Sequence, residues 1–336
     1  MKKKRPRRGP TMDDVARRAG VNRVTASVAL RGARAGTHVS EATRQRILQA
    51  AQELGYVPNA IALALRQQRT NIIGYYTGYE GLNAHDPFTA EIINGLQRGT
   101  KKYRQDLLIY GSFVQRSADE IYAALASGKI DGLVMLPSPH SPELDKLIHS
   151  HLPIITVANS LPNVPAVVVD DVRGSQLLAE HLAQRGHRRV LYCSDAWNHT
   201  STVRRQTAFQ EAAAGLGMQV TVVPTDIDDV GLLQGLYLDA PPHARPTAVA
   251  CWLDTLAYEL LEECRRLGIQ VPGDLAVVGF DGIRPRFRPA YALTTIHAPW
   301  EDVAATAVEL LLDLIEGKEV AQETVLPVEL VVGETT

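Results

Sequence analysis

Short apolar segments alternate with amphipathic stretches along most of the chain, from residue 71 onward. Nine of the apolar segments have the length and the Val, Ile and Leu content of buried strands, and helical patterns separate most of them. The predicted strands are 72–76, 107–110, 132–136, 154–157, 167–169, 190–194, 220–223, 249–252 and 276–279. The predicted helices lie near 89–104, 118–127, 174–185, 203–216, 255–267 and 301–316.

This alternation constrains the fold of the larger part of the chain. Strands separated by helices predict parallel sheets covered on both faces. Nine or more strands exceed one comfortable open sheet, so we expect two doubly wound lobes. Ligands of such sheets lie beyond the carboxyl ends of the strands, and two facing lobes form a cleft there.

Residues 11–31 have a different pattern, that of two short helices separated by a sharp turn. Thr11 can cap the first helix, Gly20 can end it in the left-handed conformation, and Asn22 can cap the second. So small a helix must pack one face and leave the other free. The free face carries Arg23, Val24, Ser27 and Val28. The pattern predicts a helix-turn-helix whose second helix enters the DNA major groove, although similar pairs occur in proteins that do not bind nucleic acid.

Charge favours the DNA-binding interpretation. Residues 1–70 hold 15 Lys and Arg against 4 Asp and Glu, whereas the remainder holds 20 against 33. A basic segment attached to an acidic body is expected of a phosphate-binding module joined to a second function. The three cysteines have no CxxC spacing, and no apolar run approaches the ~20 residues of a membrane span. We therefore expect a cytoplasmic protein without a metal site or cofactor.

These patterns divide the chain into four segments. Residues 1–10 are predicted to be a basic disordered leader, and residues 11–57 the helix-turn-helix domain with a third helix capped by Ser40 and ended by Gly55. Residues 58–70 are predicted to be a short, marginal helix and linker. Residues 71–336 form the body. Its first lobe is expected at about 71–169 and 298–323, and its second at about 170–297 and 324–336.

Several motifs in the same order resemble those of the lactose and galactose repressor (LacI/GalR) family. They are the stretches 11–30, 39–44 and 54–59, the sequences Asp131-Gly132-Leu133, Gly186-His187-Arg188-Arg189-Val190 and Val278-Gly279-Phe280-Asp281, and residues 292–296. The resemblance covers the chain beyond its leader. It implies a homodimeric repressor that binds double-stranded DNA at a pseudo-palindromic operator, and a body resembling periplasmic sugar-binding proteins that senses a small molecule.

The resemblance also assigns DNA-binding positions. Arg23, Val24 and Val28 match positions that touch base edges, and Thr25 and Ser27 match positions that meet phosphate. The short helix at 59–66 matches the hinge helix, and Leu65 the residue that wedges into the minor groove. Thr11, Asn59 and Leu63 complete the candidate set. Many members carry arginine where this chain has Val28 and Leu63. Valine cannot donate to guanine, so the operator preference near the base pair that Val28 meets should differ from the common one. The loop at 32–39 is also longer than usual, which is a tolerated change.

The effector positions follow from the same comparison. Arg205, four residues before Phe209, and Asp281 match the ligand-binding pair, whose fork donor and acceptor suit vicinal hydroxyls. A salt bridge between them is the alternative. Five further candidates are Phe88, His199, Ser201, Trp252 and Asp254. For Phe88 and Trp252, ordinary core packing remains open, and His199 can be a solvated loop residue.

The sequence contains no GxSxG, Walker or HExxH motif, so an enzyme is not expected. A carbohydrate is the expected effector. The alternative is a regulator without a small ligand, controlled by a protein that docks on the body. No leucine heptad follows residue 329, which favours a dimer over a tetramer. The sequence does not distinguish induction from corepression.

Overall fold

The computed structural model describes residues 9–31, 39–78, 82–83, 85–111, 113–139, 141–225, 231–283 and 289–336. Most of the predicted leader and of the long loop after the second helix lie outside the described residues. The chain divides into two compact units, residues 1–70 and residues 71–336.

The first unit contains four helices: α1 (Met12–Ala19), α2 (Arg23–Arg31), α3 (Glu41–Leu54) and α4 (Ala60–Gln67). Thr11 and Asp14 form a capping box at the start of α1, and Gly20 ends that helix at φ 66°. The side chain of Asn22 accepts a hydrogen bond from the Thr25 amide at 2.7 Å, which caps α2. Val15, Ala26 and Ile47 are fully buried, so α1, α2 and α3 share one small core.

The second unit contains two six-stranded sheets. The first sheet has the order β11-β5-β4-β3-β1-β2 and is parallel throughout. The second has the order β12-β10-β9-β8-β6-β7, with only β12 antiparallel. The strands are β1 (Ile72–Tyr76), β2 (Asp106–Ile109), β3 (Gly132–Met135), β4 (Ile154–Val157), β5 (Ala166–Val169), β6 (Arg189–Asp195), β7 (Gln219–Thr225), β8 (Ala248–Cys251), β9 (Ala276–Asp281), β10 (Thr294–His297), β11 (Glu323–Leu326) and β12 (Glu329–Val331). The predicted fold class is confirmed.

Helices connect these strands and cover the sheets. They are α5 (Pro87–Lys102), α6 (Ala118–Leu125), α7 (Leu144–Ile148), α8 (Asp171–Gln184), α9 (Thr200–Gly215), α10 (Asp254–Leu267) and α11 (Trp300–Ile315), with a short π-helix at Gln234–Leu238. No helix among the described residues is long and apolar enough to span a membrane.

The chain passes between the two lobes three times. It leaves the first sheet after β5, returns through α11, which packs on α5, and passes to β12 after β11. The expected boundary at residues 323 and 324 is shifted, because Glu323–Leu326 pairs with β5 in the first sheet. Residues 324–326 therefore belong to the first lobe, and the last crossover follows them.

Gly95 and Gly99 of α5 allow this helix and α11 to approach closely. A Cβ added at Gly95 would lie 2.2 Å from the carbonyl oxygen of Glu301, which is rigid backbone. We expect Gly95→Ala to lower the free energy of unfolding by about 1–3 kcal/mol, because the helices must separate. Urea denaturation measures this loss. Gly215→Ala, in a helix where an added Cβ meets nothing within 4 Å, is the control and should not destabilise. Equal midpoints for both variants would contradict this packing argument.

Candidate functional site

The free face of α2 carries the candidate DNA contacts. Arg23 keeps 70% of its side chain exposed, and its ion pair with Asp13 at 3.6 Å is itself exposed and weak. Val24 is 69% exposed, whereas Thr25, Ser27 and Val28 are half-buried. This face therefore presents one long donor and small side chains at the spacing needed to enter a groove.

Thr11 lies at the start of α1, where its hydroxyl is already engaged. It donates to the Asp14 carboxylate at 2.7 Å and accepts from the Asp14 amide at 3.3 Å. The observed contacts of Thr11 are thus those of a helix cap.

The short helix α4 contains no buried residue. Asn59 caps it by accepting from the Ala62 amide at 3.1 Å. Ile61 and Leu65, four residues apart and so on one face, are 79% and 84% exposed, while Leu63 is half-buried. An eight-residue helix with an exposed apolar face needs a partner surface to be stable in water.

A cavity of about 230 Å³ lies between the two lobes of the body. It is placed beyond the carboxyl ends of the strands, where α5, α9, α10 and α11 begin. All seven effector candidates line it. Among the other lining residues, which the sequence did not indicate, are Asp86, Asn159 and Trp300. The candidates are Phe88, His199, Ser201, Arg205, Trp252, Asp254 and Asp281. The fold brings them together from four separate segments.

Arg205 lies at the centre of this cleft and is 4% exposed. Its Nε donates to Asp171 at 2.8 Å, and its Nη1 donates to the Trp252 carbonyl at 2.9 Å and to Asp281 at 3.4 Å. The guanidinium also stacks on the Phe280 ring, 3.7 Å from its centroid. Burial lowers the pKa of Arg205, but Asp171 and Asp281 outweigh that effect and raise it, so this cation is permanent. Its Nη2 bonds to no described residue.

Asp281 ends β9 in the left-handed region, at φ 122°, which points to local backbone strain. The salt bridge between Arg205 and Asp281, which was the alternative to a role in ligand binding, is present. It is a long contact, at 3.4 Å. Burial raises the pKa of Asp281 to about 7; Arg205 opposes this rise, and Asp171 and Asp86 add to it. The carboxyl is thus an acceptor that the protein satisfies incompletely.

Asp254 has a different environment, although it also lines the cavity. Its two oxygens accept from the Thr295 hydroxyl at 2.5 Å and from the Ile283 amide at 2.8 Å. Burial, with the nearby charge of Asp281, raises its pKa well above the ordinary value. The Ile283 contact joins the residues directly after β9 to the start of α10.

His199 and Ser201 lie at the start of α9. Asp195 holds the His199 ring through Nδ1 at 2.5 Å. Burial raises the pKa of Asp195, but hydrogen bonds from His199 and Trp197 outweigh it and set the value at about 2. Ser201 donates to the first lobe's Asn159 at 2.8 Å. The ring is therefore fixed at the cavity wall, whereas the serine hydroxyl joins the two lobes.

Aromatic rings form the remaining wall. Phe88 meets Trp300 edge to face, with centroids 4.9 Å apart. The indole nitrogens of Trp252 and Trp300 are buried and have no hydrogen-bond partner among the described residues. Two N–H donors without acceptors next to a cavity point to a ligand that brings oxygen atoms.

The pH dependence of folding provides a check on Asp281. Its carboxyl has a pKa of about 7 in the folded chain against 3.8 ordinarily, so the folded state binds more protons in that interval. The free energy of unfolding should therefore fall as pH rises from about 4 to 7, by up to about 1.4 kcal/mol per pH unit. Asp281→Asn should flatten that slope. The exposed Asp145→Asn is the control, and a slope shared by all three proteins would contradict the assignment.

Comparisons with known proteins agree with this architecture. Residues 11–59 match the family model described as "Bacterial regulatory proteins, lacI family", and residues 179–336 match a "Periplasmic binding protein-like domain". The chain is 29% identical over 321 residues to the HTH-type transcriptional repressor PurR of Photobacterium profundum, covering 92% of each. It is 28% identical to PurR of Vibrio cholerae, covering 92% of each.

Solved structures show the same fold. A complex of the transcriptional regulator CelR with cellobiose is 26% identical, with a TM-score of 0.71 over 97% of this chain and 100% of the other. The lac repressor dimer bound to operator and the anti-inducer ONPF has a TM-score of 0.81 at 22% identity, covering 98% and 99%. The chain belongs to the LacI family. It is a DNA-binding transcriptional repressor and not an enzyme.

Proposed function

We propose that the chain is a cytoplasmic, homodimeric repressor whose affinity for a pseudo-palindromic operator is set by a monosaccharide-sized molecule in the cleft between its lobes. Two-fold symmetry of the dimer requires matching half-sites on the DNA. The solved lac repressor, which has the same fold, is described as a dimer bound to operator.

The DNA-reading half of the proposal rests on the exposed faces of α2 and α4. Arg23 can donate to a guanine edge, and Val28 can contact only a thymine methyl group. In this proposal the exposed Leu65 of α4 enters the minor groove when two copies of the helix pair on the operator. Unstacking the bases costs a few kcal/mol and is offset by the larger contact of the kinked duplex.

The ligand half rests on one observation, the cavity of about 230 Å³ that holds Arg205, Asp281 and both indoles. This volume is below the roughly 300–1,000 Å³ typical of pockets for drug-sized ligands, which suits a molecule of monosaccharide size. Aromatic faces match sugar C–H faces, and the fork donor and carboxylate match hydroxyl groups. CelR is described in complex with cellobiose. A second solved structure, which is similar to this chain only in fold, is described in complex with D-xylulofuranose.

Contacts between the lobes provide a route from ligand to DNA. Asn159 accepts from Ser201, the Ser160 amide donates to Thr200 at 3.0 Å, and Arg204 joins Asp171 to Glu323. A ligand that favours one arrangement of the lobes sets the spacing of the two first lobes in the dimer. That spacing decides whether two α4 helices can pair, and the coupling must be equal in both directions.

A direct test selects operator sequences for the full chain and measures binding by fluorescence anisotropy with a panel of monosaccharides. We expect at least one sugar to change operator affinity by about 5–150-fold. Unchanged affinity with every monosaccharide of the panel would remove the carbohydrate part of the proposal.

A further inference from the structure

Two carboxylates from opposite lobes face the same cavity. Asp86 caps α5 in the first lobe, and Asp281 ends β9 in the second. Asp86 accepts from the Phe88 amide at 3.3 Å and from the amide and hydroxyl of Thr89 at 3.1 and 2.9 Å. Its charge is thus held in place by the helix start, while the Asp281 side chain accepts one hydrogen bond from the described residues, at 3.4 Å from Arg205.

The surrounding charges do not balance these carboxylates. Among the described residues, the cavity wall and the side chains paired with Arg204 or Arg205 contain two guanidinium groups against four carboxyls, leaving aside Asp254, whose pKa burial raises well above its ordinary value. The four carboxyls are those of Asp86, Asp171, Asp281 and Glu323. Arg205 is already shared between Asp171 and Asp281, so it leaves no free positive charge for an anionic ligand.

The neighbouring negative charges also contribute to the raised pKa of Asp281. Burial is its main cause, and the negative charges of Asp171 and Asp86 contribute in the same direction, against the opposing effect of Arg205. An anion would add to this repulsion. A cation placed between the lobes would relieve it.

Two hydrogen-bond donors of the cavity wall indicate the rest of the ligand. Trp300 is 2% exposed, lines the cavity and has no partner for its indole N–H, and Nη2 of Arg205 bonds to no described residue. These donors need acceptors, and an anion is disfavoured there. Hydroxyl oxygens meet both conditions.

We propose that the ligand is an amino sugar: a monosaccharide-sized, polyhydroxylated molecule whose protonated amine lies between Asp86 and Asp281 and which carries no anionic group. This inference rests on the proposed function, since it names the class of molecule for the same cleft. The amine bridges the lobes, and the hydroxyl groups face Trp252, Trp300 and Arg205.

The test compares three matched sets at pH 7 by isothermal titration of the full chain. Glucose, galactose and mannose are the neutral set, and their 2-amino derivatives and their uronates are the charged sets. We expect one amino sugar to bind about tenfold tighter than its neutral parent, because a charged donor roughly doubles the strength of a hydrogen bond. Uronates should not bind.

Asp86→Asn separates charge from shape. Asparagine caps helices as well as aspartate, so the variant should fold. The amino sugar should lose about tenfold in affinity, approaching its neutral parent, whereas Asp145→Asn, which removes an exposed carboxylate of the same lobe, should keep the full preference.

Three outcomes would overturn the inference. They are an amino sugar no better than its parent, a uronate that binds as well as the neutral sugar, and an amine preference unchanged in Asp86→Asn. If neutral sugars bind and alter operator affinity while the amine gives no advantage, this inference alone fails. If no member of any set binds, the inference fails together with the carbohydrate part of the proposed function.

Discussion

Replacement of Arg205 by alanine is expected to abolish the effect of the sugar on operator binding and to lower the free energy of unfolding by about 3–5 kcal/mol. The guanidinium is 4% exposed and is the 2.8 Å partner of Asp171, itself 2% exposed. Its removal leaves Asp171 with Arg204 alone and Asp281 with no partner among the described residues. Arg205→Lys keeps the charge and loses the fork, so it should recover part of the stability and little of the response.

Two measurements check this expectation. Urea denaturation gives the change in stability, and operator titration with and without the sugar gives the response at a temperature where the variant is folded. Arg173→Ala removes an exposed ion pair with Glu180 and should change neither result by more than about 0.5 kcal/mol. A folded Arg205→Ala protein with normal response would exclude Arg205 from the ligand site.

The second large effect is expected for Leu65→Ala. Leu65 is 84% exposed on α4, a helix without a buried residue, so its loss should leave stability unchanged. Operator affinity should fall on the order of 10–100-fold, because the inserted side chain stabilises the kinked duplex. Binding to random DNA, which depends on phosphate contacts, should fall little.

Anisotropy titration with operator and with scrambled duplex at one salt concentration measures both affinities. Leu216→Ala replaces an exposed leucine of the second unit and should bind both duplexes normally. Equal losses on operator and scrambled DNA for Leu65→Ala would contradict the wedge role.

Much of the fold could be predicted because its signals are local. The caps at Thr11 and Ser40 and the turns at Gly20 and Gly55 involve residues three or four positions apart. The three strands that the sequence analysis omitted, β10, β11 and β12, are short, and Thr or Glu interrupts their apolar pattern. Their places depend on pairing with distant strands, as for Glu323–Leu326 with β5.

The cleft was predictable only in part, for the same reason. Arg205 and Asp281 belong to recognisable motifs, but Asp171 reaches Arg205 through a crossover between lobes, 34 residues away. Asn159 contacts Ser201 across 42 residues, and no spacing in the sequence indicates that contact. Asp86 had one local signal, its place before Pro87 at a helix start, which indicates a cap and gives no hint of the facing carboxylate.

The central claim is that occupancy of the cleft sets operator affinity. The most direct measurement is a linkage cycle with the full chain, in which operator affinity is determined with and without the tightest-binding sugar, and sugar affinity with and without operator. The account predicts the same factor, about 5–150-fold, along both routes, and operator binding about 10³-fold or more tighter than scrambled DNA. A tightly bound sugar that leaves operator affinity unchanged, or equal binding to both duplexes, would contradict it.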